Sequence, residues 1–575
     1  MTRRLMTFAV LVVGLLVLAP TAFAAKPDND THVQLLAIND FHGNLQPPTG
    51  SSGRIAISPT QNVDAGGVEY LATWIKQLRT ENTNTITVGA GDLIGASPLI
   101  SGLFHDEPTI EAMNALGLNV TGVGNHEFDE GVQELLRMQN GGCTSDTTTC
   151  ALWRNNLGPQ FGGALFQYLA ANVFYSGTNS TILPPYKIMK VDNAKIAFIG
   201  LTLEGTPQIV TPAGVAGLDF RPEVQTINNL VEQLRNNEGV RAFVVLIHQG
   251  GQQNAPFANG FMDVNRCDNF TGDIKPIVEQ LDTRVDLVVS AHTHQPYICK
   301  FNGITTTSAS SFGRLITDIN LTIDHNTKDV SAVDAHNVIV TRNVAKDPNE
   351  TAIISKYDTL SGPIANRVVG SQSADMTRLV SATGNQESPL GDVIADAQLA
   401  STSGTDFGAA VVAFMNPGGI RADLTCSVVC SAASPAPVTY NQLFTVQPFN
   451  NVMTVKTMTG DMIRRLLEQQ FTVIAPAIRL LQVSHGFTYT YDMTRPTGSK
   501  VVPGTIKINN VPIDPLASYR VAMNNFLASG GDGFTVFNEG TNPLGGEIDL
   551  DALVNYFQHN SPVAPGPADR VTRIG

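Results

Sequence analysis

Six short runs, HVQLLAIN, TITVGAG, NVTGVG, AKIAFIGLT, RAFVVLI and VDLVVSA, punctuate the first 291 residues of the chain. They are rich in Val, Ile and Leu, the composition of sheet strands buried on both faces. Helix patterns lie between them. EPTIEAMNALG spaces Ile110, Met113 and Leu116 on one face, with Pro108 at its start and Gly117 at its stop. RPEVQTINNLVEQLRNNEG does the same with Val224, Ile227, Leu230, Val231 and Leu234. Strands alternating with amphipathic helices predict an α/β domain with a layered core.

At 575 residues the chain exceeds one ordinary core and suits two domains with a linker. Around residues 346–368 the pattern becomes DPNETAIISKYDTLSGPIANRVVG, which predicts a connecting helix. A second α/β unit follows, with GDVIADAQLA, the strand-like GAAVVAFM, TGDMIRRLLEQQF and an ASGGDGF loop. The expected division is 1–24, 25–345, 346–368 and 369–575.

Residues 1–24 read as a secretory signal: Arg3 and Arg4, an apolar run from Phe8 to Ala19, then Ala22-Phe23-Ala24 as a cleavage site. That run is short for a membrane span, so no stable membrane anchor is expected. Export to a periplasm, a cell surface or the medium follows. Losing Arg3 and Arg4 takes the formal net charge from −14 to −16. So acidic a protein is a poor partner for a nucleic-acid polymer or an anionic membrane. An anionic substrate needs local positive charge, from metals or a few arginines. Six cysteines in an exported chain point to disulfides. Cys143–Cys150 and Cys426–Cys430 are close enough for local loops, which leaves Cys267 to Cys299. No Cys-x-x-Cys occurs, which argues against a thiolate zinc site.

The strand ends carry the chemistry. HVQLLAIND runs into Asp40-Phe-His42, TITVGAGD ends in Asp92, NVTGVGN in Asn125-His126, RAFVVLIH in His248, and VDLVVSAH in His292-Thr-His294. Ligands of open α/β sheets collect outside the carboxyl ends of the strands. Five of the eleven histidines fall in these motifs, too concentrated for independent core histidines. In Asp40-x-His42 and His292-x-His294, a one-residue gap on extended backbone would point both side chains the same way.

Carboxylate, amide and imidazole without thiolate suit Zn²⁺, Mn²⁺, Fe²⁺ or Co²⁺. Seven candidate ligands exceed one tetrahedral site, so two divalent metals sharing a carboxylate is the economical arrangement. Such a pair acidifies water and neutralises charge growing on phosphoryl oxygens.

INDFHG, GAGD, GNHEFD, a strand ending in His, and AHTH, in that order, resemble the calcineurin-like metallophosphoesterases. With the C-terminal unit, the chain from about residue 32 onward resembles the secreted bacterial 5′-nucleotidases. That family also includes UDP-sugar hydrolases and 2′,3′-cyclic-nucleotide phosphodiesterases. The resemblance implies a four-layer αββα catalytic domain, a linker helix and hinge, and a C-terminal α/β nucleoside-binding domain. It implies that Asp40, His42, Asp92 and His294 hold one metal, and Asp92, Asn125, His248 and His292 the other. Zn²⁺ or Mn²⁺ would fill both positions, with Asp92 bridging. It makes His126, oriented by Asp129, a catalytic dyad acting on the phosphoryl group. Glu127 reads as a solvated or capping carboxylate. Ala291 stands where the family more often has Gly.

In the C-terminal unit, Asn416-Pro-Gly-Gly-Ile-Arg421 supplies an amide and a guanidinium suited to phosphate oxygens or ribose. Gln447-Pro-Phe449-Asn450 and Phe526-Leu-Ala-Ser-Gly-Gly-Asp532 resemble the family's nucleoside pocket. There Phe449 and Phe526 would sandwich the base and Asp532 would bind ribose hydroxyls. There is one departure. Several family members carry a phosphate-binding arginine just before the segment matching Glu387-Ser-Pro-Leu-Gly391. This chain reads SATGNQ there, with no arginine after Arg378. The expected activity is hydrolysis of nucleoside 5′-monophosphates. Alternatives on the same scaffold are UDP-sugar or cyclic-nucleotide hydrolysis, thiosulfate-ester hydrolysis, or nucleotide binding without turnover.

Overall fold

The computed structural model describes residues 29–48, 50–143, 160–210, 213–378, 387–472 and 480–575. The signal-like segment, Cys150 and the SATGNQ stretch lie outside the described residues.

Two six-stranded sheets form the first part of the chain. The first runs, in spatial order, Val330–Ile339, Leu315–Ile323, Thr31–Ile38, Thr85–Ala90, Val120–Gly122 and Gln167–Leu169. The second runs Pro296–Phe301, Ile304–Ala309, Leu287–Ser290, Ala242–His248, Ala194–Thr202 and Tyr186–Val191. Alternation along each strand assigns the layers. Val33, Leu35 and Ala37 face inward and meet Ile196, Val244, Leu246 and Val289 of the other sheet. Leu36 and Ile38 point outward to Leu71 and Ile75 of the helix Val68–Leu78 and Ile110 and Met113 of the helix Glu107–Leu116. On the far side, Ile199, Phe243 and Val245 meet Ile227, Val231 and Leu234 of the helix Glu223–Glu238. The result is helix, sheet, sheet, helix. Strands covered on both faces explain the near-continuous apolar runs.

The strands Thr31–Ile38, Thr85–Ala90 and Val120–Gly122 are parallel, as are Ala194–Thr202, Ala242–His248 and Leu287–Ser290. Their carboxyl ends therefore open on the same side within each sheet. Cys267–Cys299 is a disulfide tying the loop after His248 to the strand after His294, and Cys426–Cys430 is a second.

A helix spans Pro348–Ala365, capped by Asp347, whose side chain accepts from the backbone N–H of Asn349 and Glu350. Tyr357 of this helix is buried in the first domain's core, with its ring 4.9 Å from that of Phe104. The remaining chain builds a five-stranded sheet in the order Gln482–Val483, Val412–Met415, Ser518–Asn524, Val452–Thr459, Thr541–Ile548. The sequence pattern read GAAVVAFM as one strand, but only Val412–Met415 is extended; Gly408 and Ala409 adopt positive φ and turn the chain. The two halves touch closely. Leu99 of the short helix Leu99–Gly102 enters the second half's core beside Leu443 and Phe444.

Candidate active site

Asp40, His42, Asp92, Asn125, His248, His292 and His294 come together where the parallel strands end. Asp40, His42 and His294 form one cluster, and Asp92, His248 and His292 another, with potential ligand atoms in each within 4.8 Å of one another. Asp92 lies between them, with Oδ2 3.0 Å from His248 Nε2 and 3.6 Å from His42 Nε2. Asn125 Oδ1 is 3.1 Å from His248 Nε2.

The backbone departs from the extended geometry expected at these positions. Asp40, His42, Asp92, His292 and His294 all adopt positive φ, between 48° and 74°. Left-handed backbone costs a non-glycine residue roughly 1–2 kcal/mol. Five such residues in one site concentrate strain where ligand atoms must converge. It is this turned backbone, not strand pleating, that aims the side chains inward. Gly124 is obligatory for a different reason, since a Cβ there would sit 2.2 Å from Asp92 Oδ1.

The surroundings fit cations. Nδ1 of His42 donates to the Gly95 carbonyl at 2.8 Å, and Nδ1 of His248 donates to the Ala90 carbonyl at 2.9 Å. A carbonyl only accepts, so both rings hold Nε2 toward the centre. His42 Nε2 stands 3.1 Å from His294 Nε2. Burial drives His42 down to about 3 and His294 well below its ordinary value, so the facing rings are neutral. Burial also pushes Asp40 up to about 7. At His248 burial opposes charge but Asp92 outweighs it, raising the imidazole to about 9. The site thus holds buried carboxylates beside lone pairs that a positive charge would satisfy together.

The GNHEFD stretch divides its work. Asn125 joins the ligand cluster. His126 Nδ1 lies 2.8 Å from Asp129 Oδ2, and its backbone N–H donates to Asp92 Oδ1 at 2.9 Å. Although burial works against it, Asp129 and Asp92 raise the His126 pKa above its ordinary value. Glu127 is buried, not solvated. Its carboxylate accepts from the backbone N–H groups of Asp92 and Leu93, each at 2.9 Å, and of Gly124 at 2.6 Å. It therefore fixes the Asp92 and Gly124 turns against each other. The capping alternative in the sequence reading pointed this way, but it did not identify which amides Glu127 meets.

Asn416, Arg421, Phe449, Phe526 and Asp532 line the same cleft as Asp92, Asn125 and His126, about 470 Å³ in volume. Phe449 stacks on His126, with ring centroids 5.6 Å apart and planes 18° apart. The Arg421 guanidinium lies over the Phe449 ring, 5.6 Å from its centroid. Asn416 is buried at the cleft wall and bonded to its neighbours. Its Nδ2 donates to Asp532 Oδ2 at 3.0 Å, and its Oδ1 accepts from Asn524 Nδ2 at 3.1 Å. Sequence reasoning also missed Gln252 and Asn451, which line the cleft from loops without a motif.

Residues 33–296 match the calcineurin-like phosphoesterase family, and residues 368–539 match the 5′-nucleotidase C-terminal domain. The endonuclease YhcR of Bacillus subtilis is 32% identical over 548 residues, covering 94% of this chain. This chain spans only 40% of that protein's length. The cell wall protein Lmo0130 of Listeria monocytogenes is 31% identical over 588 residues, covering 96% of this chain and 70% of its own. Among solved structures, a 5′-nucleotidase precursor from Thermus thermophilus superposes with a TM-score of 0.74 at 23% identity, over 95% of this chain and 100% of that one. No helix among the described residues is long and apolar enough to cross a membrane. The chain belongs to the 5′-nucleotidase family, a calcineurin-like phosphoesterase domain followed by a 5′-nucleotidase C-terminal domain.

Proposed function

We propose that the protein hydrolyses nucleoside 5′-monophosphates to nucleoside and phosphate. One observation carries this reading: the candidate metal cluster and the Phe449, Phe526 and Asp532 set border one continuous cleft. A phosphoryl group at the cluster leaves its nucleoside beside two aromatic rings and a carboxylate.

Asp40, His42, Asp92 and His294 would hold one divalent ion, and Asp92, Asn125, His248 and His292 a second. When bound, the ions acidify water and offset phosphoryl charge. The remaining work falls to side chains. His126, its pKa raised by Asp129, would donate Nε2–H toward the phosphoryl group and the departing ribose oxygen. Arg421 adds a guanidinium facing the same space, and its charge is matched to the anionic substrate. Phe449 and Phe526 offer π-faces to the base, which tolerates base identity. Asp532, oriented by Asn416, accepts from ribose hydroxyls.

Under this reading residues 25–345 do chemistry, 369–575 choose the nucleoside, and 346–368 joins them as a hinge. Export is part of the proposal, supported by the signal-like N-terminus and the two disulfides. The test is a substrate panel with metal content measured: nucleoside monophosphates, a UDP-sugar, cyclic nucleotides, a bis-aryl phosphodiester and an aryl phosphate. Preference for nucleoside monophosphates is expected. Preference for the diester would move the reading toward the activity in the name of the Bacillus subtilis relative.

A further inference from the structure

The five-stranded sheet places Val412–Met415 beside Ser518–Asn524, parallel, with Phe414 opposite Met523. Asn416 and Asn524 therefore stand together at the carboxyl ends of neighbouring strands. Asn524 is fully buried, and Asn416 and Asp532 nearly so. Asn416 and Asp532 wall the large cleft; Asn524 lies behind them.

Four groups form a chain of hydrogen bonds. The backbone N–H of Leu527 donates to Asn524 Oδ1 at 2.8 Å. Asn524 Nδ2 donates to Asn416 Oδ1 at 3.1 Å, and Asn416 Nδ2 donates to Asp532 Oδ2 at 3.0 Å. A carboxamide can present either end to a neighbour, so its orientation is set by a partner that cannot reverse. Here that partner is the Leu527 amide, which only donates. It fixes the oxygen of Asn524, hence the NH₂ facing Asn416, hence the NH₂ that Asn416 turns to Asp532. Reversing one member would set like groups against each other in a buried place, where an unmade hydrogen bond is costly. The same Asn524 oxygen caps the short helix Asn525–Ala528, which carries Phe526. One side chain thus ties the carboxylate and one ring of the proposed nucleoside pocket to a single backbone amide.

We infer that Asn524 is a positioning residue for nucleoside recognition, setting through Asn416 the hydrogen-bond polarity that reaches Asp532. With an N–H held against Oδ2, Asp532 meets the ribose hydroxyls as an acceptor. This role rests on the reading of Asp532 as the ribose acceptor and adds what orients it.

The experiment uses the metal-loaded full chain as wild type, Asn524→Asp, Asn524→Ser, Asp532→Asn and the double variant Asn524→Asp with Asp532→Asn. Asp and Ser both keep an oxygen for the Leu527 amide. Asp sets a second oxygen toward Asn416, which must then turn its NH₂ to position 524 and its oxygen to Asp532. Ser is too short to reach Asn416. In the double variant the polarity runs consistently in reverse, and the amide at position 532 again offers its oxygen to the ribose.

For each, kcat and KM are measured on AMP and on 2′,3′-dideoxy-AMP, which lacks both ribose hydroxyls, at mildly alkaline pH. Both substrates share base and phosphate, so a displaced Phe526 or a disturbed metal cancels in the ratio of their kcat/KM values. Hydrogen bonds to a charged acceptor are worth roughly 10- to 150-fold, the preference for AMP expected of wild type. Asn524→Asp should lose most of that preference and Asn524→Ser part of it. The double variant should prefer AMP more strongly than either of its single parents. A preference unchanged in both Asn524 variants, or a double variant no better than its parents, overturns the inference. A wild type without a preference for AMP removes the ribose reading of Asp532 by itself. Melting temperatures then still decide the relay: the double variant should melt higher than the summed effects of its two changes, and strict additivity overturns it.

Discussion

The imidazole of His126 and the phenyl ring of Phe449 stack across the two halves of the molecule, 5.6 Å apart and within 18° of parallel. The ring proposed for base recognition thus also buttresses the ring proposed for proton donation. The two phenylalanines should therefore behave differently. Phe526→Ala should lower kcat/KM for a nucleoside monophosphate about 5- to 150-fold, the worth of one stacking face. Its hydrolysis of a small aryl phosphate should be nearly unchanged. Phe449→Ala should lose on both substrates, because His126 loses its support. Phe449 and Phe526 are both half-buried, so neither variant should show the ~3–5 kcal/mol stability loss of a truncated core phenylalanine. Thermal unfolding of each variant checks that.

His126→Ala should retain its metals yet lose on the order of 10²–10⁴ in kcat. Asp129→Asn keeps the shape but removes the carboxylate 2.8 Å from His126 Nδ1. It should lower kcat in the same direction and shift the alkaline limb of the kcat profile to lower pH, because His126 loses the charge that raises its pKa. Metal loss in His126→Ala would make that residue a ligand.

Glu127→Gln replaces an acceptor of three backbone N–H bonds by a group that must turn an NH₂ toward at least one of them. About 1–3 kcal/mol of stability should be lost, with weaker metal retention because the Asp92 and Gly124 turns loosen. Differential scanning calorimetry with and without chelator measures both. A variant as stable as wild type would remove Glu127 from the site's support.

Much of the first domain was legible. AKIAFIGLT is the strand Ala194–Thr202, and EPTIEAMNALG contains the helix Glu107–Leu116, because burial on both faces and a 3.6-residue period leave plain traces. The Asp, Asn and His residues at the strand ends were equally plain, and the structure brings all seven close together. Three things were not legible. Positive φ at Asp40 and His292 depends on how turns from distant strands fit together, and Asp and His carry no marker for it. The contacts of Asn416 with Asp532 and Asn524 join residues more than 100 positions apart, and no motif marks them. The Arg378–Ser52 contact joins residues 326 positions apart, which no periodicity encodes.

Glu350 provides a pH test away from the cleft. Burial first, and then the charge of Asp347, raise its carboxyl to about 8, against an ordinary 4.5. The folded state then keeps a proton that the unfolded chain releases, so stability is present below about pH 4.5 and declines as pH rises toward 8. Glu350→Gln mimics the protonated form. It should melt higher than wild type at pH 8, with the difference vanishing near pH 4.5. A constant difference across that range would show that the carboxyl does not titrate as described.

The central claim is that two divalent ions sharing Asp92 drive nucleotide hydrolysis. The direct measurement is elemental metal content per chain alongside AMP turnover, for wild type and Asp92→Asn. The account predicts close to two ions and phosphate release in wild type, with reduced occupancy and near-complete loss of turnover in the variant. Full turnover by Asp92→Asn with both ions retained would contradict it.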